Sequence, residues 1–416
     1  MRPLNREILR LAVPSILANI TVPLVGMVDM AVAGHLDAAA AVLIGGISIG
    51  SMLFDLLYWN FSFLRVGTGG LTAQAWGRGD RAECARILWR ALLLALFSAV
   101  FLLAIQVLVV KVAFRFVNCT PEVQELAVKY FYIRIWAAPA TLSLFAFKGW
   151  FIGMQDTVSA MASDLIVNFS NIALSILLAF RTPLGYTGIA WGTVIAQWTG
   201  LLFCFSALAF KYREVAFGSG AQIQLKGLGR FFAMNGDLLL RSLGLILVYI
   251  GFTAISARYG DALLASASIL MKILLIFSYF TDGFAYAGEA LTGRFIGARD
   301  AAGLNDTVKY TFIWSMSIAV FFIGIYGVAG VPLLGCPAFT WDGIYLGATA
   351  SGACRDSSLL SAAGFFAIWF AGNALFHPSG AAAIHLLMVA YFVHLAVRTL
   401  YQTVFWKKYI TFTQYD

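Results

Sequence analysis

The chain has 416 residues, of which 61% are apolar and only 12% charged, and it carries a formal net charge of +8. Soluble globular chains are about 45–50% apolar and about 25% charged, so this one lacks the polar side chains to cover a water-facing surface. That excludes a soluble enzyme and a disordered chain; a porin-type barrel, built from alternating segments of about 10 residues, is excluded as well.

A membrane-crossing helix takes about 20 apolar residues. The apolar runs predict such helices over residues 8–34, 39–74, 87–114, 126–152, 158–180 and 188–210. The first run is too long for a signal-peptide core and has no convincing cleavage site. The polar stretch 211–230, with Gly218, Gly220, Gln222 and Gln224, reads as a linker between two halves. Further spans follow over 231–257 and 262–295. Two short ones share 310–350, turning at 327–330, and the last two cover 359–376 and 381–405. The expected fold class is an all-α polytopic membrane protein with about twelve transmembrane helices. It is divided into an amino-terminal lobe of six helices (1–212), a cytoplasmic linker (213–230) and a carboxy-terminal lobe (231–416), with helices 9–10 shortened.

With an even span count, most Arg and Lys clusters share one side: Arg6 and Arg10, Arg78 to Arg90, Lys211 to Arg230, Arg294 and Arg299, Arg355, and Lys407 and Lys408. Positive loops mark the cytoplasm, so both termini are expected there, and the basic balance does not call for nucleic acid. The five cysteines form no CxxC pair or ligand cluster, so neither a disulfide framework nor a metal site is expected.

The halves repeat. Residues 71–80 read LTAQAWGRGD and residues 291–300 read LTGRFIGARD; KGWFIGM at 148–154 is echoed by DGIYLGA at 342–348. Repeated halves are a transporter signature, with substrate held between them. The second half is short: 69 residues separate Asp80 from Gly149, but 43 separate Asp300 from Gly343. Either two short helices or one lost span would account for this. A lost span would put Arg355, Lys407 and Lys408 outside, against the charge rule.

A carboxylate at a span centre costs about 2.5–3.5 kcal/mol on insertion scales. Asp29, Asp55, Asp282, Glu289 and Asp342 stand in such runs. Asp29 has no cation nearby in sequence, and Pro14 and Pro23 can kink its span. Desolvation favours its neutral acid, which suits a residue that trades a proton. Asn168, Asn171 and Ser175 are three and four apart and share one helical face; Thr193 and Gln197 form a second stripe. Both stripes read equally as helix–helix contacts or as cavity lining. Asp282 and Glu289 lie two turns apart, and Arg241, with Asp237 four residues earlier, is the cation expected to join them in a second-lobe polar network between spans 7 and 8. Asp55, Arg65 and Lys148 read as further pairing material, with Asp342 at the repeat position of Lys148. There is no Walker GxxxxGK[ST], HExxH or GxSxG motif, so neither ATP nor hydrolytic chemistry is indicated, and no cofactor is expected.

The segments LAVPSILANITVPLVGMVDMAVAGHL, MLFDLLYWNFSFLRVGTGGLTAQA, SYFTDGFAYAGEALTGRFIGARD and FTWDGIYLGAT together resemble the multidrug and toxic compound extrusion (MATE) family, and within it the DNA-damage-inducible F (DinF) branch. The resemblance implies two pseudo-symmetric six-helix lobes around a central cavity. It also implies export of organic cations or other amphiphilic toxic compounds, driven by an inward proton or sodium gradient across the cell's inner membrane. The partners it implies are a small-molecule substrate, the coupling ion and the bilayer, with the chain acting as a monomer. By the same resemblance Asp29 matches the essential first-span aspartate, and Pro14 the proline whose kinking accompanies protonation. Asn171 and Thr193 match polar members of the amino-terminal site. Ser175 stands where many relatives carry a second aspartate, which favours a single protonatable Asp29 and proton over sodium coupling. The alternative is a flippase for lipid-linked precursors, which would use Arg65, Lys148 and Arg241 to hold a pyrophosphate.

Overall fold

The computed structural model describes residues 3–36, 40–117, 119–218, 228–326 and 330–410. Their regular structure is helical: α1 (Pro3–Gly34), α2 (Ala40–Asn60), α3 (Phe63–Gly77), α4 (Arg81–Ala113), α5 (Pro121–Arg134), a 3-10 turn (Ile135–Ala137), α6 (Ala138–Gly153), α7 (Thr157–Arg181), α8 (Tyr186–Lys211) and α9 (Arg213–Ala216). The second half supplies α10 (Leu228–Ala257), α11 (Asp261–Gly297), α12 (Ala301–Tyr326), α13 (Gly330–Gly347), α14 (Ser351–Phe376) and α15 (Ala381–Tyr409).

Among the described residues, 11 segments are long and apolar enough to cross a membrane. α13 is not among them. Its 18 residues extend about 27 Å at 1.5 Å per residue, just under the hydrocarbon thickness of about 30 Å. No span is lost. The shortfall is shared: α12 has 26 residues against 33 in α4, and α13 has 18 against 33 in Pro121–Gly153. α12 itself begins at Ala301, earlier than the expected 310, so the larger part of the shortfall falls on α13. The expected turn falls largely on 327–329, outside the described residues, as do 219–227 of the expected linker.

The expected single helix over 39–74 is broken. At Phe61 and Ser62 the amides turn back to Tyr58 and Trp59, at 2.9 and 3.1 Å, separating α2 from α3. A second break, the 3-10 turn after Arg134, divides the fourth span. Each break redirects a polar residue towards the bundle interior: Arg65 follows the first, and Arg134 ends the helix before the second.

The same pairings recur in both lobes: α3 on α6 and α11 on α13, α7 on α8 and α14 on α15, α1 on α7 and α10 on α14. The repeated segments mark the pseudo-two-fold axis. A Cβ on Gly77 would fall on the carbonyl of Arg294, and one on Gly297 on the carbonyl of Gln74. These two contacts are reciprocal at an offset of 220 residues. Left-handed turns match too, Gly79 with Arg299 and Gln155 with Thr349. After the first pair, Asp80 accepts from Glu83 N at 2.8 Å and Asp300 from Gly303 N at 2.9 Å, capping α4 and α12 alike.

The lobes are joined at this end. Gln74 Nε2 donates to the Gly347 carbonyl (2.9 Å), Gln155 Nε2 to that of Ala290 (2.7 Å), and Arg294 grips both oxygens of Glu7 at 3.0 and 2.9 Å. The halves also meet between α2 and α10, where the rings of Trp59 and Tyr249 are 5.8 Å apart. Both of these rings are exposed.

Candidate functional site

α1 is held as a helix through two internal prolines. A proline has no amide hydrogen, so the carbonyl four residues earlier loses its helical partner. For Pro14 that carbonyl is Arg10, and Thr157 Oγ1 from α7 donates to it at 3.3 Å. Near Pro23, Asn19 reaches the Tyr279 carbonyl of α11 at 3.3 Å, and Asn168 Nδ2 donates to Thr21 Oγ1 at 2.6 Å. The weak points of α1 are therefore braced from α7 and from the opposite lobe.

Six residues beyond Pro23, Asp29 is 5% exposed. Ser175 of α7 stands beside it, and the Arg134 guanidinium of α5 is the charge that acts on it. Asp29 Oδ1 and Ser175 Oγ make no hydrogen bond among the described residues, so the hydroxyl approaches without closing. One turn along α7, Asn171 Nδ2 donates to Thr193 Oγ1 of α8 at 2.8 Å, while its Oδ1 is unpaired. α8 comes this close because Gly192 faces Ser175; a Cβ there would sit 2.9 Å from Ser175 Oγ. The structure thus gathers Asp29, Asn168, Asn171, Ser175 and Thr193 where α1, α7 and α8 meet. Gln197 is half-buried one turn further along α8.

The second-lobe residues are distributed differently from the expectation. Arg241 does not pair with Asp237, nor does it join Asp282 and Glu289. It bonds Asp342 of α13, which also takes Arg398 and, at 2.7 Å, Gln402 of α15. Asp237 belongs instead to Arg355 (2.6 Å) and Ser351 (2.9 Å). Glu289 crosses the lobe boundary to Arg65 of α3 at 3.2 Å, whose guanidinium also lies 4.4 Å from the Tyr286 ring. Asp282 makes no ion pair among the described residues; Arg65 is the foremost charge acting on it. Lys272 is exposed. The expectation failed because one helix can face two ways. α11 turns Glu289 to α3 across the lobe boundary, whereas α10 turns Arg241 to α13. Lys148 pairs with Asp164 of α7 at 2.5 Å, so the repeat-related Lys148 and Asp342 are each satisfied within their own lobe.

Sequence reading missed Arg134. Its Nη1 donates to Ser51 Oγ of α2 (3.1 Å) and to Tyr130 Oη (3.2 Å), and it lies 4.8 Å from the Phe54 ring. The available signal was a lone arginine in the apolar run YFYIRIWAAP, four residues after a tyrosine.

Comparison with known proteins decides the family. The MatE family profile matches residues 14–177 and 238–336, and the chain is 32% identical to DNA damage-inducible protein F of Escherichia coli (strain K12), over 97% of this chain and 92% of that protein. The chain belongs to the MatE family. The MATE family comprises transporters rather than enzymes. A probable multidrug resistance protein NorM of Photorhabdus laumondii is 26% identical, over 78% of this chain and 72% of its own length. The crystal structure of a MATE transporter in the bent conformation superposes with a TM-score of 0.85 at 15% identity, covering 98% of this chain and 95% of that one. That likeness establishes the two-lobed MATE fold. In this fold the α1–α7–α8 cluster of polar side chains lies in the amino-terminal half, and the Arg65–Glu289 pair joins the two halves.

Proposed function

We propose that this protein is a secondary active antiporter that exports organic cations or other amphiphilic toxic compounds in exchange for protons, with Asp29 as the coupling residue. The observation that carries this reading is the setting of Asp29: a carboxylate 5% exposed in a membrane span, with no ion pair among the described residues and only neutral hydrogen-bonding groups on α7 and α8. Such a group is expensive to keep charged and is neutralised by one proton. Protonation removes the charge that an organic cation binds. It also lets α1 repack against α7, where Pro14 and Pro23 leave the helix least stiff. Ser175 supplies a hydroxyl rather than a second carboxylate, so the cluster favours a proton over a sodium ion. The protein would act as a monomer in the inner membrane with both termini cytoplasmic.

The flippase reading needs free cations for a pyrophosphate. Arg65, Lys148 and Arg241 each have a carboxylate partner, which favours the antiporter.

The test is transport in proteoliposomes with an imposed pH gradient, following ethidium with and without sodium. Wild type is expected to move ethidium with the proton gradient alone, and Asp29→Asn to move none. Equal flux in both would remove Asp29 as the coupling residue; flux only with sodium would remove the proton.

A further inference from the structure

Arg134 is a cation inside a membrane span without a carboxylate in ion-pair range among the described residues. Its direct contacts are neutral: Ser51 Oγ, Tyr130 Oη and the faces of Phe54 and Tyr130, the latter at 5.6 Å. Two carboxylates stand on neighbouring helices, Asp55 on α2 and Asp29 on α1, and neither has an ion pair of its own among the described residues. Ser51, Phe54 and Asp55 share one face of α2, so Arg134 lies against the turn that carries Asp55, which is exposed. An exposed carboxylate within a span faces water rather than lipid, since lipid exposure costs several kcal/mol. Asp29, the second carboxylate, is on α1, whose Val28 and Val32 pack in one cluster with Tyr130, the residue that Arg134 bonds.

The ionisable side chains on the elements around Arg134 include Tyr130 on its own helix, Tyr58 and Asp55 on α2, and Asp29 on α1. α7 contributes only the Ser175 hydroxyl, beside Asp29. α8 contributes Tyr186, whose ring is 6.4 Å from that of Tyr130 and whose hydroxyl donates to the Leu126 carbonyl at 3.2 Å. His35, at the end of α1, is exposed and bonded to the Ala31 carbonyl at 2.8 Å.

A tyrosine side chain is ordinarily neutral near pH 7, so three groups set the charge of this site. With both carboxylates ionised, Asp29, Asp55 and Arg134 sum to −1. With Asp29 protonated they sum to zero. Resting on the reading of Asp29 as the coupling carboxylate, we propose that Arg134 is a fixed counter-cation that sets the valence of exchange, so that the site takes a singly charged organic cation and releases it for one proton. Without Arg134 the same site would run from −2 to −1. It would prefer doubly charged cations and would still hold a single charge after protonation. Arg134 is therefore a specificity-determining residue, and Asp55 is the partner that makes its charge necessary.

The test begins with binding, which does not depend on proton coupling. Ethidium, a monocation, and methyl viologen, a dication, are titrated at pH 8 against the detergent-purified chain. Wild type is expected to favour ethidium. Arg134→Gln is expected to raise affinity for methyl viologen relative to ethidium by about tenfold, one further unit of negative charge acting at short range. Arg134→Lys, which keeps the charge, should restore the wild-type preference. Asp55→Asn should lose ethidium binding, and Asp55→Asn/Arg134→Gln, again at −1, should regain it. The double variant also guards against loss of folding in either single one. In transport, the pH of half-maximal ethidium release should move upward by about one unit in Arg134→Gln, because a nearby cation favours the ionised carboxylate. A purely structural role would lower flux at every pH without moving that midpoint.

An unchanged ethidium-to-viologen ratio in Arg134→Gln, or a double variant that does not regain ethidium, overturns the proposal. Proton-driven flux that survives in Asp29→Asn overturns the antiporter reading instead, whatever the binding ratios show.

Discussion

Removing Arg65 tests how the lobes are held together. Its Nη1 lies 3.2 Å from Glu289 Oε2, and the two side chains are 13% and 1% exposed. At an effective dielectric of about 20, unit charges at that distance attract by about 5 kcal/mol. Most of this offsets the loss of hydration, so the intact pair adds little net stability, whereas breaking it costs about 3–5 kcal/mol. The two single removals are not equivalent. Arg65→Met strands a carboxylate at 1% exposure whose Oε1 already lacks a hydrogen bond. Glu289→Gln leaves a guanidinium that is less buried, stacked 4.4 Å from Tyr286 and within the field of Asp282. Arg65→Met should therefore fall at the upper end of the range and Glu289→Gln well below it. Arg65→Met/Glu289→Met should return to within about 1–2 kcal/mol of wild type, since a buried pair is often replaced by apolar side chains without loss. Four free cysteines, Cys84, Cys204, Cys336 and Cys354, are buried, so thermal unfolding in detergent can be followed with a thiol-reactive fluorophore. Arg65→Met unfolding at the wild-type temperature would refute the reasoning. So would a double variant no more stable than Arg65→Met.

The pseudo-two-fold axis makes a prediction of equality. Gly77→Ala and Gly297→Ala drive a methyl group into the repeat-related carbonyls of Arg294 and Gln74, and each should lose about 1–3 kcal/mol by overpacking. Gly236→Ala, in a helix with nothing within 4 Å of the added carbon, should be neutral or slightly stabilising in the same thermal assay. Asp156, in the loop before α7, gives a pH dependence. Burial alone would raise its carboxyl, but hydrogen bonds from Lys211 (2.7 Å), Ser159 N (3.2 Å) and Tyr212 (2.6 Å) outweigh this and hold it below the usual carboxylate range. A lowered folded-state value stabilises above the unfolded value of about 3.9, and the gain is lost as pH falls through the folded one. Asp156→Asn should thus unfold at lower temperature than wild type at pH 7, with the gap closing below about pH 4. A gap that does not change with pH would show that the charge is not what stabilises this loop.

Much of the fold is legible in the sequence because the membrane enforces a simple rule. A segment without water must satisfy its own backbone hydrogen bonds, so long apolar runs become helices whatever surrounds them. The repeat was legible for a similar reason. Its glycines and capping aspartates do local work, closing turns and admitting a neighbouring backbone, and local work leaves a local pattern. The stripe Asn168, Asn171 and Ser175 was readable as one face because helical spacing fixes it.

What the sequence could not decide is which partner a charge meets. Arg241 has Asp237 one turn away, yet it bonds Asp342, 101 residues on. Glu289 meets Arg65, 224 residues back and in the other lobe. Arg134 carries no mark that brings it to Ser51 of α2, 83 residues back. Ion pairs depend on which helix faces meet, and those are chosen by the packing of whole helices around the breaks at Phe61–Ser62 and Ile135–Ala137. Composition and periodicity determine the helices; the way the lobes close on each other determines which charges are paired and which are not.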